Sequence, residues 1–241
     1  MKSQTVQNIN GKDSAVVAQM FDKIAWRYDL LNHLLSLHID KLWRIRAVNE
    51  LRGQRLAQVL DVATGTADLA LTIHKRLHPA HITGVDISEG MLAIGRQKIE
   101  KKGLTQQISL IHGDSEALPF DEQTFDAVTV AFGARNFEHL ERGLSDIFRV
   151  LKTGGKVVIL EFSIPGNRII RSIFNFYFLR ILPFIGRLLS KDAHAYKYLP
   201  DTVQSFPHGV AFKERLEKCG FSEVRIKELS FGIASIYTGK K

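Results

Sequence analysis

The chain has a single cysteine, Cys219, in 241 residues. No intramolecular disulfide can form. That cysteine sits in KERLEKCGF, a helix-end pattern that suits a small buried apolar residue better than a nucleophile. The nine histidines are scattered and no Cys/His group has zinc spacing, so no metal site is expected. The opening MKSQTVQNINGKDSAVV is polar and lacks an apolar signal core, which implies a cytoplasmic protein. Internal repeats and low-complexity tracts are also missing. Acids are missing from one notable place. RIIRSIFNFYFLRILPFIGRLLSK, from Arg168 to Lys191, is packed with Ile, Leu, Phe and Tyr, and its only charges are Arg168, Arg171, Arg180, Arg187 and Lys191. A membrane span needs roughly 20 mostly apolar residues without central charges. Arg180 in the middle, followed by Pro183, argues against a span. Two readings stay open: a core or dimer element, and a surface that meets lipid or a greasy ligand.

What is present has globular composition. The chain is 45% hydrophobic and 24% charged, and it is long enough for a sizeable core. Lys and Arg exceed Asp and Glu by 33 − 25 = 8, which permits anionic partners such as nucleic acid, acidic lipid or a nucleotide. From residue 58 onward, short apolar runs alternate with helical stretches. QVLDVA (58–63), HITGVD (81–86), ISLIHGD (108–114), FDAVTVAFG (125–133) and KVVILEF (156–162) read as strands. They are apolar through their length, as when both faces are covered. The alternation predicts a parallel, doubly wound α/β sheet over residues 58–162. The pattern breaks over 163–207, an insertion that holds the greasy basic segment. Within it Phe174, Phe176 and Phe178 recur at period two, so the segment is not expected to be a regular helix throughout. Residues 208–241 read as a helix and an antiparallel hairpin divided by Gly232, and residues 14–50 as a helical cap. The whole, 1–241, is read as one domain.

The loop DVATGTADLA follows the first strand and opens a helix. A glycine there lets backbone N–H groups approach a ligand at a helix N-terminus. The loop has only Gly65, so it fails the dinucleotide pattern G-x-G-x-x-G, and it has no Lys before Ser or Thr, so it is not a P-loop. Asp61, one glycine and a small Ala67 suit a ligand without a pyrophosphate. The second strand ends at Asp86, about twenty residues on, where an acid accepts from ribose hydroxyls. The third ends at Asp114, which can accept from an adenine amino group, with the backbone of Ser115 beside it. A lone acid at a strand end is more often a helix cap. Three features in order at successive strand ends make that explanation improbable. The combination resembles class I S-adenosylmethionine-dependent methyltransferases, with their Rossmann-like sheet.

Five further stretches narrow the resemblance: FDKIAWRYDLLNHLLSL, DVATGTADLA, GDSEALPF, AFGARNFEHLERGLSDIFRVLKTGGKVVILEFS and AYKYLPDTVQSFPHG. Together they closely resemble the ubiquinone/menaquinone biosynthesis C-methyltransferases, from about Val17 to Tyr237. That family methylates a ring carbon of a polyprenylated quinol. The resemblance implies S-adenosylmethionine as cofactor, with Gly65 in its loop and Thr66, Asp86, Asp114 and Ser115 in the cofactor-binding places. It implies that Arg135 and Asn136 stand beside the reacting centre, and that Tyr28 and His33 fall in the N-terminal cap. Many members have glycine where this chain has His38, and some place a hydroxyl where it has Ala131.

A ring carbon is a poor nucleophile until a neighbouring hydroxyl gives up its proton. Arg135 is too basic to take that proton at neutral pH, but it can stabilise a phenolate. A solvated loop arginine is the equal alternative on the residues alone. The base is left open between water, His33 and Tyr196. His139 reads as a surface residue. The resemblance implies a prenylated quinol as partner and peripheral contact with the inner face of a membrane, where the basic greasy segment serves as a lid. A homodimer is the other use for that segment. Nucleic acid is not expected as a partner, because aromatic and basic residues do not interleave as a stacking surface requires. The hydroxyl-free AFGARNF resembles the menaquinone-only members of that family, and this resemblance implies the naphthoquinol over the benzoquinol. Rival readings are another small acceptor, and a non-catalytic member of a quinone-biosynthesis assembly.

Overall fold

The computed structural model describes residues 13–181 and 193–241. The greasy segment's Arg187 and Lys191 lie outside the described residues. The side chain of Tyr196 lies outside them too.

Two helices, α1 (Ser14–Leu35) and α2 (Ile39–Asn49), precede the sheet. Between them Leu37 and His38 take left-handed backbone, φ 51° and 61°. That conformation is costly for a residue with a Cβ, which is the physical sense of a glycine at the His38 position. The first strands are β1 (Gln58–Val62), β2 (His81–Asp86), β3 (Ile108–His112) and β4 (Phe125–Ala131). They alternate with α3 (Asp68–Leu77), α4 (Glu89–Lys101) and α5 (Leu140–Val150), and α5 runs directly into β5 (Leu151–Phe162). α6 (Arg168–Phe176) continues into a π-turn, Tyr177–Ile181, and α7 (Ala193–Ser205) follows. The chain closes with α8 (Val210–Lys218), β6 (Ser222–Leu229) and β7 (Ala234–Lys240).

The seven strands lie in the order β3-β2-β1-β4-β5-β7-β6. β1 to β5 are parallel, and β7 is antiparallel to both β5 and β6. The order reverses on either side of β1, the switch point where open α/β sheets bind ligands at their carboxyl ends. One hydrophobic core lies on each face of the sheet. β5 begins five residues before the predicted start, because Leu151 already pairs with Phe125 across a register irregularity.

The greasy segment starts as an α-helix, and a π-turn breaks it after Phe176, so it is not a regular helix throughout its described length. Asn167 caps α6 by accepting from the Ile169 and Ile170 amides. Phe174 and Phe178, four residues apart, stack with centroids 4.7 Å apart and bury against Val203 in a third small cluster. The opposite side stays bare, with Ile169 72%, Ile173 66% and Phe176 63% exposed.

Candidate active site

Each strand–helix junction at the carboxyl edge places a side chain. At β1, Asp61 is buried and accepts from Thr64 Oγ1 at 2.6 Å and Thr129 Oγ1 at 2.8 Å. Burial pushes its pKa up to about 6, and these hydroxyls only moderate the rise. Asp61 thus pins the first loop from beneath. Gly65, in that loop, has φ +57° and open space where a Cβ would stand. Its N–H donates to Asp86 Oδ2 at 2.8 Å, and the Ser88 N–H donates to Oδ1 at 2.9 Å. Burial also raises the Asp86 pKa, against the pull of these amides. Two of the carboxylate's roughly four acceptor sites are used, so capacity for a ligand remains.

Gly65, Asp86, Asp114, Ser115 and Asn136 line one cavity of about 690 Å³, roofed by Val17, Phe21 and Tyr28 of α1. Gly133 lies on its far wall, where a Cβ would come within 2.4 Å of Ala63 Cβ. Thr66 is not on this wall. It is buried, donating to Asp29 Oδ1 at 2.6 Å and accepting from Lys98 Nζ at 3.0 Å. The structure therefore gives the Thr66 side chain to the seating of α1 instead of the cavity.

Arg135 faces a second cavity, which meets the first at Phe21, Tyr28 and Phe132. It is neither solvated nor on the surface. The guanidinium donates to Glu161 Oε1 at 2.8 Å and to the Phe132 carbonyl, and its centre lies 5.4 Å from the Phe162 ring centroid. Glu161 is fully buried, and it also accepts from the Arg135 and Phe162 amides. Arg44 and Asp40 form a second ion pair on the same wall, with Arg44 5.5 Å from the Phe132 ring centroid. Burial raises the Tyr28 pKa, more than the nearby Arg135 and Arg44 lower it, so the phenol keeps its proton. His33 stands behind this wall, against Asp40. His139 is a surface residue paired to Glu116 at 3.0 Å.

A third cavity adjoins the second at Asn32, Phe162 and Leu199. Its walls are almost wholly apolar: Trp43, Phe162, Phe174, Phe178 and Ile233. Leu37 and Ile39 also line it and are 74% and 37% exposed, so it opens at the surface.

Three buried polar atoms facing these cavities have no hydrogen-bond partner in the protein: Arg135 Nε, Asn136 Oδ1 and the Tyr198 hydroxyl. Buried polar atoms are normally paired, so these three stand out on the walls of the first two cavities. Among the described residues no acidic, His or Cys group could hold a metal ion.

The sequence reading missed Asp40, Arg44, Glu161 and the aromatic walls. Only Glu161, an acid inside the apolar KVVILEF, carried a local signal.

Comparison with known proteins follows the same line. A demethylmenaquinone methyltransferase of Bacteroides fragilis is 49% identical over 232 residues, covering 96% of this chain and 95% of that protein. The ubiquinone/menaquinone biosynthesis C-methyltransferase UbiE of Geobacter sulfurreducens is 49% identical over 226 residues, covering 93% and 88%. A demethylmenaquinone methyltransferase of Thermus thermophilus is 45% identical over 222 residues, covering 92% and 100%. In fold, the chain matches a SAM-dependent methyltransferase of Thermotoga maritima with TM-score 0.63 at 18% identity, covering 93% and 99%. A SAM-dependent methyltransferase of Aquifex aeolicus matches with TM-score 0.59 at 17% identity, covering 81% and 88%. The model of the ubiE/COQ5 methyltransferase family matches residues 8–241, and the chain belongs to that family.

Proposed function

We propose that this chain transfers a methyl group from S-adenosylmethionine to a ring carbon of a polyprenylated quinol, converting demethylmenaquinol to menaquinol. The observation that carries the reading is the row of three joined cavities, polar, then ion-paired, then apolar. A quinol with a prenyl tail has the matching order of parts. Gly65, Asp86, Asp114 and Ser115 would hold the cofactor in the first cavity, where the open space over Gly65 and the orphaned Asn136 oxygen suit a ligand. Bound S-adenosylmethionine supplies an electrophilic methyl on a good leaving group.

The chain's own task is alignment and charge. The quinol ring lies in the middle cavity and its tail in the apolar one. Arg135, fixed by Glu161 and Phe162, keeps a free Nε–H for the quinol oxygen, and it favours the phenolate in a site shielded from water. The tail enters between α2 and α6. The bare row Ile169, Ile173 and Phe176, flanked by Arg168, Arg171 and Arg180, lies against the surface of an acidic bilayer. Among the described residues no helix is long and apolar enough to cross a membrane. Preference for the naphthoquinol is supported by Ala131, which offers the cofactor cavity no hydroxyl.

Anaerobic transfer of labelled methyl tests this, with demethylmenaquinol and the matching benzoquinol in parallel vesicles. Label on the naphthoquinol is expected. Label on the benzoquinol as well defines a dual enzyme, and label on neither, with cofactor bound, overturns the reading. Arg135→Ala should lower turnover about 10²-fold while cofactor binding stays within twofold. Because that variant strands Glu161, the pair Arg135→Met with Glu161→Met serves as the folded control. Full turnover in either removes Arg135 from the mechanism.

A further inference from the structure

Methylation of a quinol ring replaces a C–H bond with a C–CH3 bond. The methyl leaves sulfur with its bonding pair left behind, so quinol and sulfonium give methylated quinol, a neutral thioether and one proton. That proton is released inside the middle cavity and has to reach solvent. The cavity wall limits which groups can take it. Arg135 and Arg44 are cations without an acceptor. Tyr28 and Tyr198 are held protonated, chiefly by burial. Glu161 does not line the cavity and is already engaged with Arg135 and two amides. Asp40 is the only carboxylate on that wall among the described residues.

Asp40 does not end there. Its Oδ2 lies 2.9 Å from His33 Nδ1, and His33 Nε2 lies 3.5 Å from Asp68 Oδ2. Side-chain exposure rises along the row, 6% at Asp40, 17% at His33 and 24% at Asp68. We propose that Asp40, His33 and Asp68 form the route by which the proton released on methylation leaves the buried cavity. The inference rests on the reading of the middle cavity as the quinol site. At rest the His33 ring donates to ionised Asp40; when a quinol hydroxyl gives its proton to Asp40, a half-turn of the ring presents its bare nitrogen, which takes that proton. The N–H now facing Asp68 goes to that carboxylate and then to water, which leaves the ring again donating to Asp40.

The surrounding charges fit a conduit. The Ser36 hydroxyl donates to Asp40 Oδ1 at 2.6 Å, and Arg44 pairs with Oδ2. Burial pushes Asp40 up, but Ser36, Arg44 and His33 together outweigh it and hold the carboxyl below its ordinary range. Asp40 therefore starts each cycle ionised and does not retain a proton. The His38 ring stacks on His33 at 5.5 Å. Lys98 pairs with Asp68 at 2.7 Å and with Asp29 at 2.5 Å, so a cation stands at the outer end of the row. Asp40 touches substrate in this scheme, whereas His33 and Asp68 act through it.

The test is His33→Ala in the full chain, assayed with vesicle-borne demethylmenaquinol. A fall in kcat of about 10²-fold is expected, with the quinol KM and cofactor Kd within threefold of wild type. Added imidazole should restore turnover at least tenfold, which a purely structural loss would not allow. Asp40→Asn should lose kcat similarly without rescue by imidazole. If Asp40→Asn fails to fold, His33→Ala decides alone. Wild-type kcat in His33→Ala, or a loss that imidazole does not mend, removes the relay while the enzyme's function stands. A wild type that transfers no methyl to the quinol overturns both readings.

Discussion

Asp61 shows how a single buried acid near the site sets a pH dependence. Its pKa lies at about 6 in the fold against an ordinary 3.8. A carboxyl raised in this way binds its proton more tightly when folded. Stability is therefore greatest below about pH 4 for this group and falls as pH rises to about 6. The full effect is about 3 kcal/mol. Asp61→Asn cannot ionise, so its stability relative to wild type should rise from near zero at pH 4 to a plateau above pH 6. Urea unfolding of both proteins at four pH values measures this. A difference that does not change with pH would show that Asp61 ionises as freely as an exposed acid. Asp40 and Asp126, whose pKa values are lowered, act in the opposite sense but cancel in the comparison. At this scale the sequence disclosed residues whose position follows from chain order, such as Asp86 and Asp114 at strand ends. It hid Arg135 and Glu161 as a pair, because β4 and β5 must first align Ala131 with Leu160 to bring them together.

At the level of elements, α1 is a roof held by two clasps on one face. Asp22 and Asp29 are seven residues apart, two turns along the helix. Asp22 Oδ1 accepts from the Gly90 amide at 2.8 Å and Ser88 Oγ at 2.6 Å, at the N-terminus of α4. Asp29 takes Thr66 and Lys98. Neither clasp touches the floor of the first cavity, yet both hold its roof. Replacing Asp22 and Asp29 together with Ala should weaken cofactor binding about tenfold, at about 1 kcal/mol for the lost contacts. Amide exchange should speed up in α1 and stay unchanged in β1 and β4. Equal acceleration in the strands would mean that the pair stabilises the whole fold and not the roof. The helical cap was legible in the sequence, but its attachment was not, since clasps between residues 37 to 69 apart leave no periodic trace. The packing of the greasy segment was hidden for a related reason. Three alternating phenylalanines do not show which of them pack, and the turn of α6 selects Phe174 and Phe178 and leaves Phe176 to solvent.

For the whole molecule, the three cavities run along one edge of the sheet, from the switch point at β1 to the packed face of α6 at Phe174 and Phe178. The apolar end opens beside exposed Leu37 and Ile39, in a chain of net charge +8. In the proposed membrane docking, two forces bring enzyme and substrate together: burial of α6 side chains in the interface, and attraction to acidic headgroups, about 1 kcal/mol per cation near the surface. The second is screened by salt, with a Debye length of about 8 Å at physiological ionic strength. Turnover of vesicle-borne quinol should therefore rise with phosphatidylglycerol content and fall with added salt. A short-tailed, water-soluble quinol reaches the middle cavity without a membrane, so its turnover should respond to neither. Replacing Arg168 and Arg180 with Glu should abolish the lipid response and leave the soluble quinol's kcat as it was. If the short-tailed quinol shows the same lipid and salt dependence, the bilayer acts on the enzyme's fold and not on delivery, and α6 is then no docking face.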